Sequence, residues 1–277
     1  MAHEAVLARD PRTIVALYAD RAAGLSAEEI AAKHNLPAPT VYRYLRSLHQ
    51  PCGLRRPYDY RTAPPPDDAP VQIYWLGYVT ACGRVVGQGN AATVVLAIHP
   101  HDEPHVQAMV ADLVRGHPRV EFADSSLEGR QAYVRDPALA EVLSQWGLTG
   151  TLAAASVTLD YVPAALAFDF VRGYLEGSRR APPFGGLRVL PSPPGRTTGL
   201  AMVGPLPLAD SLRRVLGACG VGTGRLEPAR ASGLVILSFP PTAGAAILAR
   251  AYARPVRSSP RAARFVARFA SSRQGTG

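Results

Sequence analysis

The sequence predicts an α+β chain: a three-helix unit, a proline-rich connection, then two copies of one helix–strand–strand–helix–strand–strand–helix repeat. Three observations predict it. Two apolar helical runs, 74–83 and 170–179, each carry a glycine midway, Gly77 and Gly173. The same succession of helical and alternating patterns follows each run, a repeat of about one hundred residues. Ahead of both, residues 50–70 hold Pro51, Pro57, Pro64, Pro65, Pro66 and Pro70.

Residues 1–49 are expected to fold as three short helices. The segment 11–23 sets Ile14, Val15, Leu17 and Tyr18 on one face and stops at Gly24. Ser26-Ala27-Glu28-Glu29 is a capping box, in which a serine and the glutamate three residues on satisfy each other's backbone N–H groups. It opens a second helix to His34. Asn35-Leu36-Pro37 makes the turn, and Pro39 suits the first turn of a third helix ending near His49. Ile30, Ala31, Leu36, Val41, Leu45 and Leu48 then form the core, with Thr40, Tyr42, Arg43, Arg46 and Ser47 pointing outward. This pattern resembles a helix-turn-helix of the resolvase and transposase type. The resemblance implies that those five residues bind DNA, the third helix entering a major groove by its N-terminal part. Arg43 and Arg46 would each take either a guanine edge or a phosphate.

The 50–70 stretch reads as a proline-stiffened linker. Two repeats follow, 71–165 and 166–277. In the first, strands at 84–88 and 93–99 flank a Gly-Asn turn, and 101–115 is an amphipathic helix. Strands at 120–123 and 130–134 precede a helix from Pro137 that Gly147 caps. In the second, strands near 187–190 and 200–203 lead to a helix at 208–218 ending at Gly220. Strands at 225–229 and 234–239 and helices at 243–253 and 260–270 complete it. A glycine inside an apolar helix costs about 1 kcal/mol against alanine. Two in matching contexts predict two helices whose backbones nearly touch.

Both runs resemble the signature helix of the LAGLIDADG homing-endonuclease family, in its forms L-x-G-x-x-x-A-D-G and F-x-R-G-x-x-D-G-D-G. Gly77, Arg172 and Gly173 match, and the order of elements matches across 71–272. The resemblance implies a pseudo-two-fold saddle with Gly77 and Gly173 at the helix interface and the strands facing double-stranded DNA. The residues that would contact DNA are Arg84, Gln88, Asn90 and Arg130 in the first repeat, and Arg188, Arg196, Arg225 and Arg230 in the second. Period-two alternation leaves the face of each undecided. The resemblance also implies a DNA-cleaving metal site at the acid preceding each motif's last glycine. Cys82 and Ser178 stand at those two positions, and Arg179 follows where the family has glycine. A thiol and a neutral hydroxyl are poor ligands for a hard divalent cation. No metal, cofactor or catalytic residue is therefore expected. Glu176, two residues before Ser178, would be turned about 200° from it on a helix.

Composition agrees with a polyanionic partner. The 277 residues carry a formal charge of +9, almost all of the excess from arginine, since Lys33 is the one lysine. Cys52, Cys82 and Cys219 form no CxxC pair, which argues against a zinc site or disulfide framework and fits a reducing cytoplasm. Glu4, Arg9 and Asp10 interrupt the first apolar stretch, so no signal peptide is read there. The weakly charged run 148–168 is broken by Asp160 and Pro163, so no membrane span is expected. His99, His101 and His105 sit at a strand end and a helix start rather than in a zinc-ligand pattern.

The expected function is sequence-specific binding of double-stranded DNA by a monomer, in transcriptional regulation, on a scaffold that has lost cleavage. WhiA-type sporulation regulators, which combine a degenerate domain of this family with a helix-turn-helix in the opposite order, offer a parallel. The alternatives are an active homing endonuclease with rearranged ligands, an RNA-binding splicing helper of the maturase kind, and a protein-interaction scaffold.

Overall fold

The computed structural model describes residues 16–17, 20, 25–46, 52–57, 60, 65–114, 119–126, 129–150, 155–177, 187–189, 200–229, 233–253, 255 and 257. The chain divides into two compact units, Met1–Pro51 and Cys52–Gly277.

The first unit contains α1 (Ala27–His34) and α2 (Ala38–Arg46). The capping box at Ser26 is formed: the serine Oγ accepts from Glu29 N at 3.2 Å, and Glu29 Oε2 accepts from Ser26 N at 2.7 Å. Asn35 ends α1 in the left-handed conformation, φ 50°, which a short amide side chain tolerates. Leu17, Ala27, Ile30, Ala31, Leu36 and Val41 make the core. Four of these are the residues expected from helical spacing. Most of the expected helix at 11–23, residues 47–51, and the expected helix at 260–270 lie outside the described residues.

The second unit begins earlier than the linker reading allows. Cys52 pairs with Val114 in a β-bridge, and Leu54 and Tyr60 are buried in the core. The Arg55 backbone carbonyl accepts from Trp146 Nε1 at 2.8 Å, and Tyr60 donates to Gln72 at 3.0 Å. Prolines stiffen this stretch, but its apolar side chains still have a core to enter. Its residues 52–57 and 60 are folded structure.

Beyond it the expected repeat is present twice. The first copy runs α3 (Ala69–Cys82), β1 (Gly83–Val86), β2 (Thr93–Ala97), α4 (Glu103–Leu113), β3 (Arg119–Ser125), β4 (Gly129–Arg135) and α5 (Pro137–Gln145). The second runs α6 (Ala167–Gly177), β5 (Leu187–Val189), β6 (Leu200–Pro205), α7 (Leu206–Ala218), β7 (Arg225–Pro228), β8 (Leu234–Phe239) and α8 (Pro241–Ala251). The sheets are antiparallel with equivalent strand orders, β1-β2-β4-β3 and β5-β6-β8-β7. Gly147 and Gly220, at φ 87° and 73°, cap α5 and α7, where their lack of a Cβ is needed.

The unit is organised around α3 and α6. Helix α3 is apolar all round and buried from Ile73 to Ala81, as a helix enclosed by protein must be. A Cβ on Gly77 would overlap the Phe170 carbonyl and lie 2.9 Å from Tyr174 N. One on Gly173 would overlap the Tyr74 carbonyl and lie 2.8 Å from Tyr78 N. The two backbones touch through their glycines, as the sequence pattern predicts. One continuous core then spans both repeats.

A polar cluster holds α3 against α4. Trp75 Nε1 donates to Asp112 on α4 at 2.7 Å, and Arg257 clamps the same carboxylate with two bonds of 2.8 and 2.7 Å. Burial pushes Asp112 toward protonation, but the Arg257 and Trp75 hydrogen bonds outweigh it and hold the carboxyl below its ordinary value. A depressed acid stabilises the fold above its unfolded-state pKa, and that contribution disappears as pH falls through the folded-state value. Arg257→Met is therefore expected to cost about 1 kcal/mol at pH 7, the clamp being half exposed. The difference from wild type should close below about pH 4. Urea midpoints measured from pH 3 to 7 check this, and a pH-independent difference would exclude the clamp as its cause.

Candidate nucleic-acid interface

Tyr42, on α2, is half exposed at 51% and donates a hydrogen bond to Glu28 of α1. Thr40 is partly buried at the start of the same helix, and Arg43 and Arg46 follow within it. Ser47 lies outside the described residues. Asp20 ties the back of the unit together, pairing with Lys33 and His34 at 2.6 Å each; the Lys33 hydrogen bond, then that of His34, holds its carboxyl low.

In the second unit, strand register decides which face each sheet residue takes. Directly paired residues share a face, and faces alternate along a strand. Val85, Val94, Val134 and Val120 form one cross-sheet row, and Leu96, Ala132 and Phe122 lie in the next row of the same face. These side chains belong to or pack on the core, so this is the helix-covered face. The opposite face carries the row Arg84, Val95, Tyr133, Glu121 and the row Val86, Thr93, Arg135, Arg119. Arg84 is therefore on the open face, and Gln88 is exposed just past the end of β1. Asn90 lies in the short 3₁₀ turn Gly89–Ala91.

Arg130 is placed otherwise. It pairs with Asp124 in register, two residues along from Ala132, and so belongs to the helix-side face. Its guanidinium bonds Glu103 of α4 at 2.6 Å and Asp124 at 3.1 Å. Those bonds, the Glu103 bond first, raise its already high pKa. Its charge is matched by two carboxylates within the protein.

The same face of the first sheet also carries residues the sequence reading passed over, Arg119, Arg135 and Tyr133, with Gln131 buried beside them. Arg135 pairs with Glu121 at 2.9 Å, both half exposed. Alternation in 129–135 held the signal, with Ala132 and Val134 turned inward and Gln131, Tyr133 and Arg135 outward. In the second sheet Arg188, Ala201, Ser238 and Arg225 share one row. Arg225 is 81% exposed and 3.1 Å from Glu227. Arg196 and Arg230 lie outside the described residues.

At the ends of the two central helices, Cys82 is half buried, and its thiol donates to the Tyr78 carbonyl at 3.2 Å. Ser178 lies outside the described residues. Glu176 is 6% exposed and accepts from the Tyr74 hydroxyl at 2.7 Å. The same hydroxyl lies 2.7 Å from His105 Nε2, so a buried Glu–Tyr–His chain crosses between the repeats. Burial first, then the Glu176 charge, pushes the Tyr74 phenol far above its ordinary value, so it remains a donor to the carboxylate.

Residues 13–51 match the IclR helix-turn-helix domain. That bears out a helix-turn-helix in the N-terminal unit and gives its type as IclR, where the sequence pattern resembles the resolvase and transposase type. No curated protein matches the chain at a significant level. Among solved structures the chain is similar to mesophilic variants from the homing endonuclease I-DmoI, at 10% identity and TM-score 0.47, over 68% of this chain and 98% of that one. It is also similar to I-DmoI in complex with DNA and Ca, at 12% identity and TM-score 0.41, over 61% of this chain and 82% of that one. A third is the homing endonuclease I-WcaI bound to its DNA recognition sequence, at 8% identity and TM-score 0.38, covering 65% and 80%. No helix among the described residues is long and apolar enough to cross a membrane.

Proposed function

We propose that the chain is a regulator that binds double-stranded DNA sequence-specifically and does not cut it. The observation that carries this reading is the match of residues 13–51 to an IclR helix-turn-helix, joined in one chain to a duplicated, glycine-notched saddle. Recognition by two modules raises overall affinity through effective concentration. In the saddle, Arg84, Arg119 and Arg135 with Tyr133 offer guanidinium forks and an aromatic edge on one open face. The Arg188–Arg225 row supplies the second sheet's contribution, with Gln88 and Asn90 just past β1 of the first sheet and Arg196 and Arg230 near the second sheet's strands in sequence. Arg130, already held by Glu103 and Asp124, has little charge left for phosphate.

The residues at the helix ends do not fit a divalent metal for cleavage. A cysteine bonded into its own helix offers no hard oxygen, and the Glu176 carboxylate is buried behind Tyr74. Cys82 and Ser178, standing where two acids would be, also lower repulsion against DNA phosphates, which favours binding over hydrolysis.

Selection of duplexes from a random pool by the full chain, followed by incubation of the enriched duplex with Mg²⁺ or Mn²⁺, tests both parts. One enriched motif, salt-dependent affinity and uncut DNA are expected. Cutting that Glu176→Gln abolishes would restore an active endonuclease. Preference for structured RNA over the enriched duplex would indicate a maturase-like role.

A further inference from the structure

Taking the DNA-binding reading as its basis, we infer that Glu28 is a specificity-determining residue of the helix-turn-helix. It fixes the exposed Tyr42 ring on α2 and sets a negative charge beside the surface that meets DNA.

The two residues lie fourteen apart on different helices, both exposed, and the Tyr42 hydroxyl donates to Glu28 Oε1. An exposed tyrosine ordinarily turns among rotamers, and holding its hydroxyl removes that freedom before any ligand arrives. The same bond stabilises the ionised carboxylate, so Glu28 keeps its charge. Its neighbour Glu29 is differently engaged: its side chain accepts from Ser26 N, closing the capping box. A helix N-terminus ordinarily attracts phosphate through its free N–H groups and dipole. Here the box satisfies two of those donors, and two carboxylates stand in the first turn. Phosphate is thereby disfavoured at the start of α1, and attraction is left to the arginines of α2. Electrostatic attraction to phosphate is common to every duplex and carries no sequence information. Repelling phosphate at one edge lowers binding to all sequences. The oriented Tyr42 ring favours only the duplex that presents a complementary edge.

The bond to Tyr42 therefore acts on the ratio of specific to non-specific affinity and the Glu28 charge on affinity for every duplex, and the two separate by mutation. Glu28→Gln keeps a hydrogen-bond acceptor for Tyr42 and removes the charge. Tyr42→Phe keeps the charge and the ring and removes the bond. Both positions are exposed, so neither change touches a core. The full chain is titrated by fluorescence anisotropy, at low ionic strength, with the duplex enriched from a random pool and with a scrambled duplex of the same composition. Glu28→Gln is expected to tighten binding to the scrambled duplex about threefold, as one unit charge about 7 Å from another gives in water. It should tighten the enriched duplex by a similar factor, since the repulsion is common to every sequence. Tyr42→Phe is expected to weaken the enriched duplex about threefold or more, with the scrambled duplex unchanged. With the wild type discriminating, an unchanged ratio in Tyr42→Phe, or a scrambled-duplex affinity that Glu28→Gln does not move, overturns this inference and leaves the DNA-binding reading standing. If the wild type enriches no duplex, both fall.

Discussion

Gly173→Ala is expected to destabilise the saddle unit by about 4 kcal/mol or more, enough to unfold a marginal domain. The added Cβ would overlap the Tyr74 carbonyl and crowd Tyr78 N, 2.8 Å away. Both neighbours are backbone atoms of a helix, so no rotamer change relieves the overlap. The helices must separate where they are closest, and every side chain packed along α3 and α6 loses contact with them. The Glu176–Tyr74–His105 chain would be stretched at the same time, leaving buried polar groups short of partners. Trp75 and Trp146, the only two tryptophans, both lie in this unit, so their fluorescence in urea follows its unfolding alone. Gly89→Ala is the control. Its φ of 56° costs an L-residue about 1 kcal/mol, and nothing lies within 4 Å of the new Cβ. If the two variants unfold at similar urea concentrations, the glycine contact is not what sets the helix spacing.

That contact was also the most legible feature of the sequence. Two glycines in matching apolar helices have few reasons to exist beyond close approach, so the pattern points directly to the geometry. The repeat order followed from periodicity for the same reason, since amphipathic period is a local property of the chain. The faces of the arginines were not local properties. Arg130 and Arg135 occupy the same strand, yet Arg130 turns to Glu103, 27 residues away, while Arg135 joins the open face with Glu121. Only the apolar partners at 132 and 134 reveal the parity. The proline stretch misled in another way. Pro51 and Pro57 argue for a stiff, solvated segment, but Leu54 and Tyr60 between and beyond them are drawn into the core by Gln72, Trp146 and Val114, none of them near in sequence. Glu176 was placed away from the helix base by counting turns. Its burial behind Tyr74 depends on α3, and periodicity within α6 alone does not contain it.

Arg172→Met is the second large loss expected, about 3 kcal/mol at pH 7. Arg172 is 1% exposed and donates to Asp169 and to the Ala251 carbonyl, at 2.8 Å each. Its guanidinium lies 5.0 Å from the centre of the Tyr74 ring, which adds a cation–π attraction. One side chain thus joins α3, α6 and the end of α8. Its Nε has no hydrogen-bond partner among the described residues, so the ion is incompletely compensated. Methionine keeps most of the buried volume, so the loss measured is chiefly electrostatic. The pH dependence distinguishes this from a packing defect. Burial raises the Asp169 carboxyl above its ordinary value even though Arg172 opposes it. Without Arg172 it rises further. An acid with a raised folded-state pKa contributes stability below its unfolded-state value and loses it as pH increases through the folded one. The Arg172→Met penalty should therefore shrink as pH falls from 7 toward 4, as Asp169 takes up a proton and ceases to be an unpaired buried charge. Adding Asp169→Asn to Arg172→Met should recover part of the loss at pH 7 and remove the pH dependence. A penalty that stays constant over this range in the single variant would show that Arg172 acts through packing, and that its ion pair with Asp169 contributes little to stability.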